Sequence, residues 1–287
     1  MYGGIAVSRN LFCLTYTEGR GKVFLVDLGE KRPLDFWEYG GKDGGYADAG
    51  GVAIDRDFAV YVADTHNEVV RRFTAFGKEL ETLGKEHKRA PGAACRDRTG
   101  YLERPHAVAV FDDHVLVACG DHHLRRGVQR FGLDGESLPP LLAFGDLEGE
   151  FGAPRGLCAG ADGIFVADTL NGVVQRFTVE GRFVNDIATA RVPSGMSRPI
   201  AVQSLHDGTI LVIDQGDDPG LRHFDVSGKF LASPSATDDV VDPVALARDD
   251  EGRIYVLDRD GERVQRLCPD LSHDAQILDL AEYLHER

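Results

Sequence analysis

Hydrophobic and polar positions alternate along this chain in runs of strand length, broken by Asp, Asn and Gly. One stretch reads "GVAID", "AVYVAD", "EVVRRFT" and "KELETL". Alternation of period two predicts half-buried strands, and the polar clusters between the runs predict turns. Four such runs make one unit, and the unit recurs: "VADTHNEVVRRFTAFG" at 62–77 returns as "VADTLNGVVQRFTVEG" at 166–181. The apolar residue closing the third run can be followed through Val26, Phe73, Phe131, Phe177, Phe224 and Leu267, at intervals of roughly 43 to 58 residues. In four copies Gly stands four positions later, at Gly77, Gly135, Gly181 and Gly228. A tight hairpin needs positive φ there, which Gly adopts at little cost.

A second register runs in phase with the first. A small residue opens each unit, at Gly4, Gly51, Ala107, Gly156, Ala201 and Ala245. Pro precedes four of them by two positions, at Pro105, Pro154, Pro199 and Pro243, a place that suits the first residue of a strand. Small residues at the start of every first strand predict six strands crowding toward one point. One four-stranded sheet cannot bury both faces, but sheets stacked in a ring can. The pattern therefore predicts an all-β, six-bladed β-propeller of four-stranded antiparallel blades. It runs as a single domain over 1–287, with blades near 1–45, 46–100, 101–150, 151–195, 196–240 and 241–287. Near the C-terminus Ile277, Leu280, Ala281 and Leu284 fall at helical spacing, which predicts a last strand leading into a short packed helix.

The succession of Pro, small residue, apolar pair, "VAD", an Asn turn and "VQRF" followed by Gly resembles the NHL-repeat family of six-bladed propellers. Asp64, Asn67, Val70, Arg72 and Phe73, and Asp168, Asn171, Val174, Arg176 and Phe177, match best. Blade one departs with Tyr16 in the Asp position, and blade three with Cys119. The resemblance implies the fold; the family itself includes binding platforms and some lyases.

Composition narrows the function classes. Lys and Arg number 32 against 47 Asp and Glu, a formal charge of −15, which disfavours nonspecific attraction to nucleic acid or anionic lipid. No long apolar run and no signal-peptide pattern follow Met1, so the expectation is a cytoplasmic protein without membrane association. The five cysteines are an odd number without CxxC spacing, indicating neither a disulfide framework nor a zinc ribbon; Cys13 and Cys158 read as core thiols. No G-x-S-x-G elbow, H-E-x-x-H pair or P-loop is present.

In a propeller the first strands start on the face that carries the loops after the second strands, here termed the top face. One residue before each small residue stand Gly3, Gly50, His106, Arg155, Ile200 and Val244, around the mouth of the central channel. The Asp that recurs at second-strand ends suggests a carboxylate ring, but Asp at such a place ordinarily accepts backbone N–H groups of its own turn. Blade three breaks the pattern most, with His106, Cys119 and the loop "CGDHHLRRG", preceded by a long connection over 84–105. Arg155 either pairs with a repeat Asp such as Asp168, the ordinary arrangement, or forms a cationic spot for a carboxylate or phosphate.

The leading expectation is a non-catalytic scaffold that binds a protein or small-molecule partner on the top face through His106, Arg155, Asp121, His122, His123 and Arg125. Two alternatives stay open. "PHAVAV" is similar to inner-strand segments of peptide-amidating lyases, which implies a metal-dependent lyase or hydrolase with zinc on His106, His122 and His123, with Cys119 as a further ligand type. Gluconolactonase-like calcium sites do not fit, because the first-strand starts hold no carboxylate or amide. The six bases from Lys85 to Arg104, namely Lys85, Lys88, Arg89, Arg96, Arg98 and Arg104, imply RNA binding as in some NHL propellers, though only Tyr101 offers an aromatic there.

Overall fold

The computed structural model describes residues 2–18, 20–30, 32–40, 47–84, 99–121, 124–142, 150–187, 198–234, 240–259 and 262–280. Its strands form six antiparallel sheets, each built from one continuous stretch of chain. The first holds β1 (Tyr2–Ser8), β2 (Leu11–Glu18), β3 (Arg20–Asp27) and β4 (Arg32–Tyr39). The second holds β5 (Ala49–Ile54), β6 (Val60–Asp64) and β7 (Val69–Phe73); the third β8 (Pro105–Phe111), β9 (His114–Asp121), β10 (Leu124–Gly132) and β11 (Ser137–Leu142). The fourth holds β12 (Pro154–Gly160), β13 (Gly163–Asp168), β14 (Val173–Phe177) and β15 (Phe183–Ile187). The fifth holds β16 (Pro199–Ser204), β17 (Thr209–Asp214), β18 (Gly220–Asp225) and β19 (Phe230–Ala232); the sixth β20 (Pro243–Arg248), β21 (Ile254–Asp258), β22 (Arg263–Leu267) and β23 (His273–Asp279).

The inner strands touch in sequence around the ring, and β20 meets β1 to close it. This is a six-bladed β-propeller. In the second blade the "KELETL" run is reduced to two bridges, Val70 with Leu83 and Phe73 with Glu79, so the fourth position is occupied without a regular strand. Ile277 lies within β23, and among the described residues there is no helix; the expected C-terminal helix falls on 281–287, outside them. No helix among the described residues is long and apolar enough to cross a membrane.

Two features of the sequence explain why the ring closes tightly. The hairpin glycines Gly77, Gly135, Gly181 and Gly228 all adopt positive φ, between 71° and 92°. At the small-residue register, a Cβ added to Gly4 would stand 2.9 Å from the Cα of Gly51, one on Gly51 2.9 Å from the Cα of Ala107, and one on Gly156 2.6 Å from the Cα of Ala201. Neighbouring inner strands thus meet backbone to backbone at the axis. Apolar clusters fill the wedges between blades: Phe165, Val174, Val202, Val212 and Phe224 pack between the fourth and fifth. At the closure, Ile5, Phe12, Leu14 and Phe24 pack on Ala247, Tyr255, Leu257 and Leu278, with Phe12 and Tyr255 rings 6.2 Å apart. Cys13 and Cys158 are buried in such clusters, and burial pushes the Cys158 thiol up to about 12. They are core thiols.

On the fifth blade the Thr209 hydroxyl donates to Asp207 Oδ1 at 2.5 Å, so the 2.6 Å contact between Thr209 Oγ1 and His223 Nε2 requires the imidazole to donate. Burial lowers the pKa of His223 below its ordinary 6.5 against the pull of Asp207. A folded pKa below the unfolded one contributes stability that is present above pH 6.5 and lost as pH falls through the folded value. Urea unfolding at pH 7.5 and pH 5 is therefore expected to show a smaller acid loss in His223→Gln, which keeps the donor, than in wild type. Equal losses would remove this assignment.

Candidate functional site

Every inner strand opens with a shift of register. Pairing jumps between Tyr2 and Gly4, Ala49 and Val52, Pro105 and Ala107, Pro154 and Gly156, Pro199 and Ala201, and Pro243 and Ala245. The residue skipped by each ladder is Gly3, Gly50 with Gly51, His106, Arg155, Ile200 or Val244. A bulge leaves its extra residue unpaired and re-aims it. These bulges turn one position per blade toward the axis, where all of these residues line a cavity of about 510 Å³ at the top face.

The same cavity is lined by Arg104, Arg198 and Arg259, by Thr65, Thr169 and Gln215, and by Asp48. Arg104 and Arg198 directly precede the strand-opening Pro105 and Pro199, so the proline anchor that starts each strand also fixes a cation beside the mouth. Arg155 and Arg198 are exposed and His106 is half-buried. Arg259 donates through Nε to Asp242 at 2.7 Å.

The recurring Asp is a clamp and not a ligand ring. Asp168 is fully buried (0% exposed) and accepts from Gly152 N at 2.9 Å, Ala153 N at 2.8 Å and Asn171 Nδ2 at 2.8 Å. Asp214 accepts from Arg198 N at 2.9 Å, Asp258 from Asp242 N at 3.0 Å and Asp64 from Arg71 Nε at 2.7 Å. Each clamp ties the end of a second strand to the start of the first, or to the third, in its own blade. The oxygens of Asp168 are engaged by these amides and by Gln175 Nε2 at 3.3 Å, a neutral donor set. Burial nonetheless raises the pKa of Asp168 against the pull of those donors. Arg72 and Arg176 lie over the rings of Tyr61 and Phe165, at 5.3 and 5.8 Å, and belong to the blades' own surfaces.

In the second, fourth and fifth blades the residue after the clamp reaches the next blade. Thr65 Oγ1 donates to Pro105 O and Thr169 Oγ1 to Pro199 O, both at 2.6 Å, and Gln215 Nε2 to Asp242 Oδ1 at 3.1 Å. Sequence reasoning passed over these stitches, although "ADT" in both best repeats was their signal. It also passed over Arg198 and Arg259 at the mouth, and read Arg104 only as part of a basic segment.

Of the residues expected at the site, His106 and Arg155 are brought to one cavity. Asp121 ends β9 and Arg125 lies in β10, but their side chains are outside the described residues, as are His122 and His123 altogether. Cys119 points into the core between the second and third blades, fully buried among Tyr61, Val70, Val117 and Phe131, as Asp64, Asp168, Asp214 and Asp258 at the same position are buried in their blades. It is therefore not available to a metal at the mouth. Among the described residues no group of three His, Cys, Asp or Glu side chains is arranged to hold a metal ion.

No family model matches the chain, and no curated protein matches it. Solved structures do. They share its fold. A virginiamycin B lyase from Staphylococcus aureus is 14% identical over 95% of this chain and 83% of its own, with a TM-score of 0.64. A streptogramin B lyase is 13% identical over 96% and 83%, also at 0.64. A chain of a nidogen/laminin complex is 13% identical over 92% of both, at 0.63. Identities this low speak for architecture, and one architecture hosts enzymes and binding modules alike.

Proposed function

We propose that this protein is a binding propeller of the NHL type that takes a small-molecule ligand into the top-face mouth of its central channel. The observation that supports this most is the bulge at the start of all six inner strands, which aims one residue per blade, His106 and Arg155 among them, into a single cavity. Rigid strands carry these residues, so the mouth is pre-organised, and its volume is of the order expected of small-molecule sites, roughly 300–1,000 Å³. Asp121, His122, His123 and Arg125 belong to the same blade-three rim by sequence and are proposed to contribute from its edge.

The test is an NMR titration of the labelled protein with a fragment library of mixed charge. Shifts gathering on His106, Thr65, Thr169 and Ile200 support the reading; shifts confined to the blade flanks or the lower face reject it. Zinc content separates this reading from the metal-dependent lyase or hydrolase alternative. The binding reading expects no stoichiometric zinc, whereas one zinc per chain, lost in His106→Ala, would favour the enzyme.

A further inference from the structure

We propose that the mouth receives a small polyanion: a molecule with a short aliphatic body and at least two carboxylate or phosphate groups, held by Arg155 and Arg198 with Arg104 as a third cation. This rests on the reading of the mouth as the binding site and adds the chemistry of what it takes.

Charge at the mouth sorts against composition. The chain carries 47 acids and 32 bases, yet the described residues lining the cavity include four arginines and a single carboxylate, Asp48. Asp48 is on the second blade and accepts from Thr17 Oγ1 at 3.2 Å. Arg259 is answered by Asp242. Arg104, Arg155 and Arg198 come from the third, fourth and fifth blades and form a continuous arc on one side of the mouth. Arg198 makes no ion pair among the described residues, and its clamp partner Asp214 is bonded to its backbone N and not to its guanidinium.

The scaffold holds this arc in place. Arg104 and Arg198 precede prolines whose carbonyls are tied to the neighbouring blade by Thr65 and Thr169. Arg104 adopts a φ of +47°, a left-handed conformation that a residue before proline rarely takes and that the surrounding structure must enforce. Guanidinium groups carried on fixed backbone suit carboxylate and phosphate, which they grip through two parallel N–H bonds. Opposite the arc, on the sixth, first and second blades, Val244, Gly3 and Gly50 offer a carbon skeleton small or apolar neighbours, flanked by Arg259 with its partner Asp242 and by the lone carboxylate Asp48. No Phe, Tyr or Trp lines the cavity among the described residues, so nucleobases find no stacking platform, and the cavity suits a compact anion better than a nucleic-acid strand.

The probes are citrate and inorganic pyrophosphate, with acetate and glycerol as controls, titrated calorimetrically at constant ionic strength. Wild type is expected to bind citrate or pyrophosphate at one site per chain and neither control comparably. Arg155→Gln and Arg198→Gln, both at exposed side chains and checked for unchanged melting, are each expected to weaken that binding about 10- to 100-fold, the usual weight of one charged hydrogen-bonding partner. Arg182→Gln, on an outer hairpin turn, is expected to leave it unchanged. Citrate without pyrophosphate identifies a carboxylate ligand, and the reverse a phosphate. Failure of both polyanions, or equal binding in the two mouth variants, overturns the proposal. If neutral fragments still shift the mouth resonances, only the anionic chemistry fails; if nothing does, the site fails with it.

Discussion

Gly156→Val is expected to cost about 3 kcal/mol or more of folding stability, the upper end of overpacking penalties. The reason is geometric. A Cβ at this position stands 2.6 Å from both the Cα of Ala201 and the carbonyl O of Ile200, and neither backbone atom can step aside without moving β16. Moving β16 would open the axis where Ile200 lines the cavity and pull Val202 from the cluster it shares with Cys158 and Phe165. Gly160 on the same strand is the control: its added Cβ would meet only Ser204 Oγ, at 3.7 Å, an ordinary contact. Gly160→Ala is expected to remain within about 0.5 kcal/mol of wild type, as surface changes usually do. Urea unfolding of the two variants measures the contrast, and similar costs would show that close approach at the axis does not set this glycine.

Asp168→Ala is the second large effect, with an expected loss of about 3–5 kcal/mol. Truncation leaves the N–H groups of Gly152 and Ala153 and the amides of Asn171 and Gln175 pointing at a vacated acceptor in a place water does not reach. The loss should exceed that of Asp168→Asn, which keeps one acceptor oxygen. Because Ala153 directly precedes Pro154 and the bulge at Arg155, the Ala variant is also expected to loosen the cationic arc. Hydrogen exchange at 152–156 would report this. A cost below about 1 kcal/mol would mean the clamp is dispensable, as the third blade already hints in one respect. There Cys119 occupies the register partner of Pro105, where Asp168 partners Pro154, and apolar burial stands in for the polar clamp, while the backbone bond that the blades share, Thr169 N to Ala153 O in the fourth, is kept at 3.4 Å from Gly120 N to Arg104 O.

Much of the fold could be read from the sequence because its signals repeat. The small residue that opens each of the six units, and the Gly that follows "VQRF" in four of them, report backbone requirements of the blade, so the copies reinforce one inference. The role of Asp168 was legible for the same reason: recurrence fits a structural duty. The mouth was only half legible. Alternation of period two identifies which side of a strand a residue takes, but a bulge suspends that rule for one residue, and nothing in "RPHAV" or "RPIAV" announces it. His106 and Arg155 were found through register with the small residues, whereas Arg198 sits on the far side of the strand-opening proline, where no alternation extends. The break in the second blade's fourth strand was hidden likewise, since "KELETL" alternates well enough yet pairs only at Glu79 and Leu83.

The sheet-by-sheet order has a kinetic consequence. All ladders pair strands adjacent in sequence, so each blade can assemble from local contacts, the arrangement associated with fast folding. Closure is different in kind: Ile5 and Phe12 must find Tyr255 and Leu257 across almost the whole chain, and among the described residues no strand is shared between the two blades to guide them. Loop-closure entropy grows only slowly with length, by about 0.6 kcal/mol per doubling, so the cost is bearable, but it falls on a single event. The ring should therefore fold as a fast arc with one late seam, and that seam lies between the sixth blade and the first.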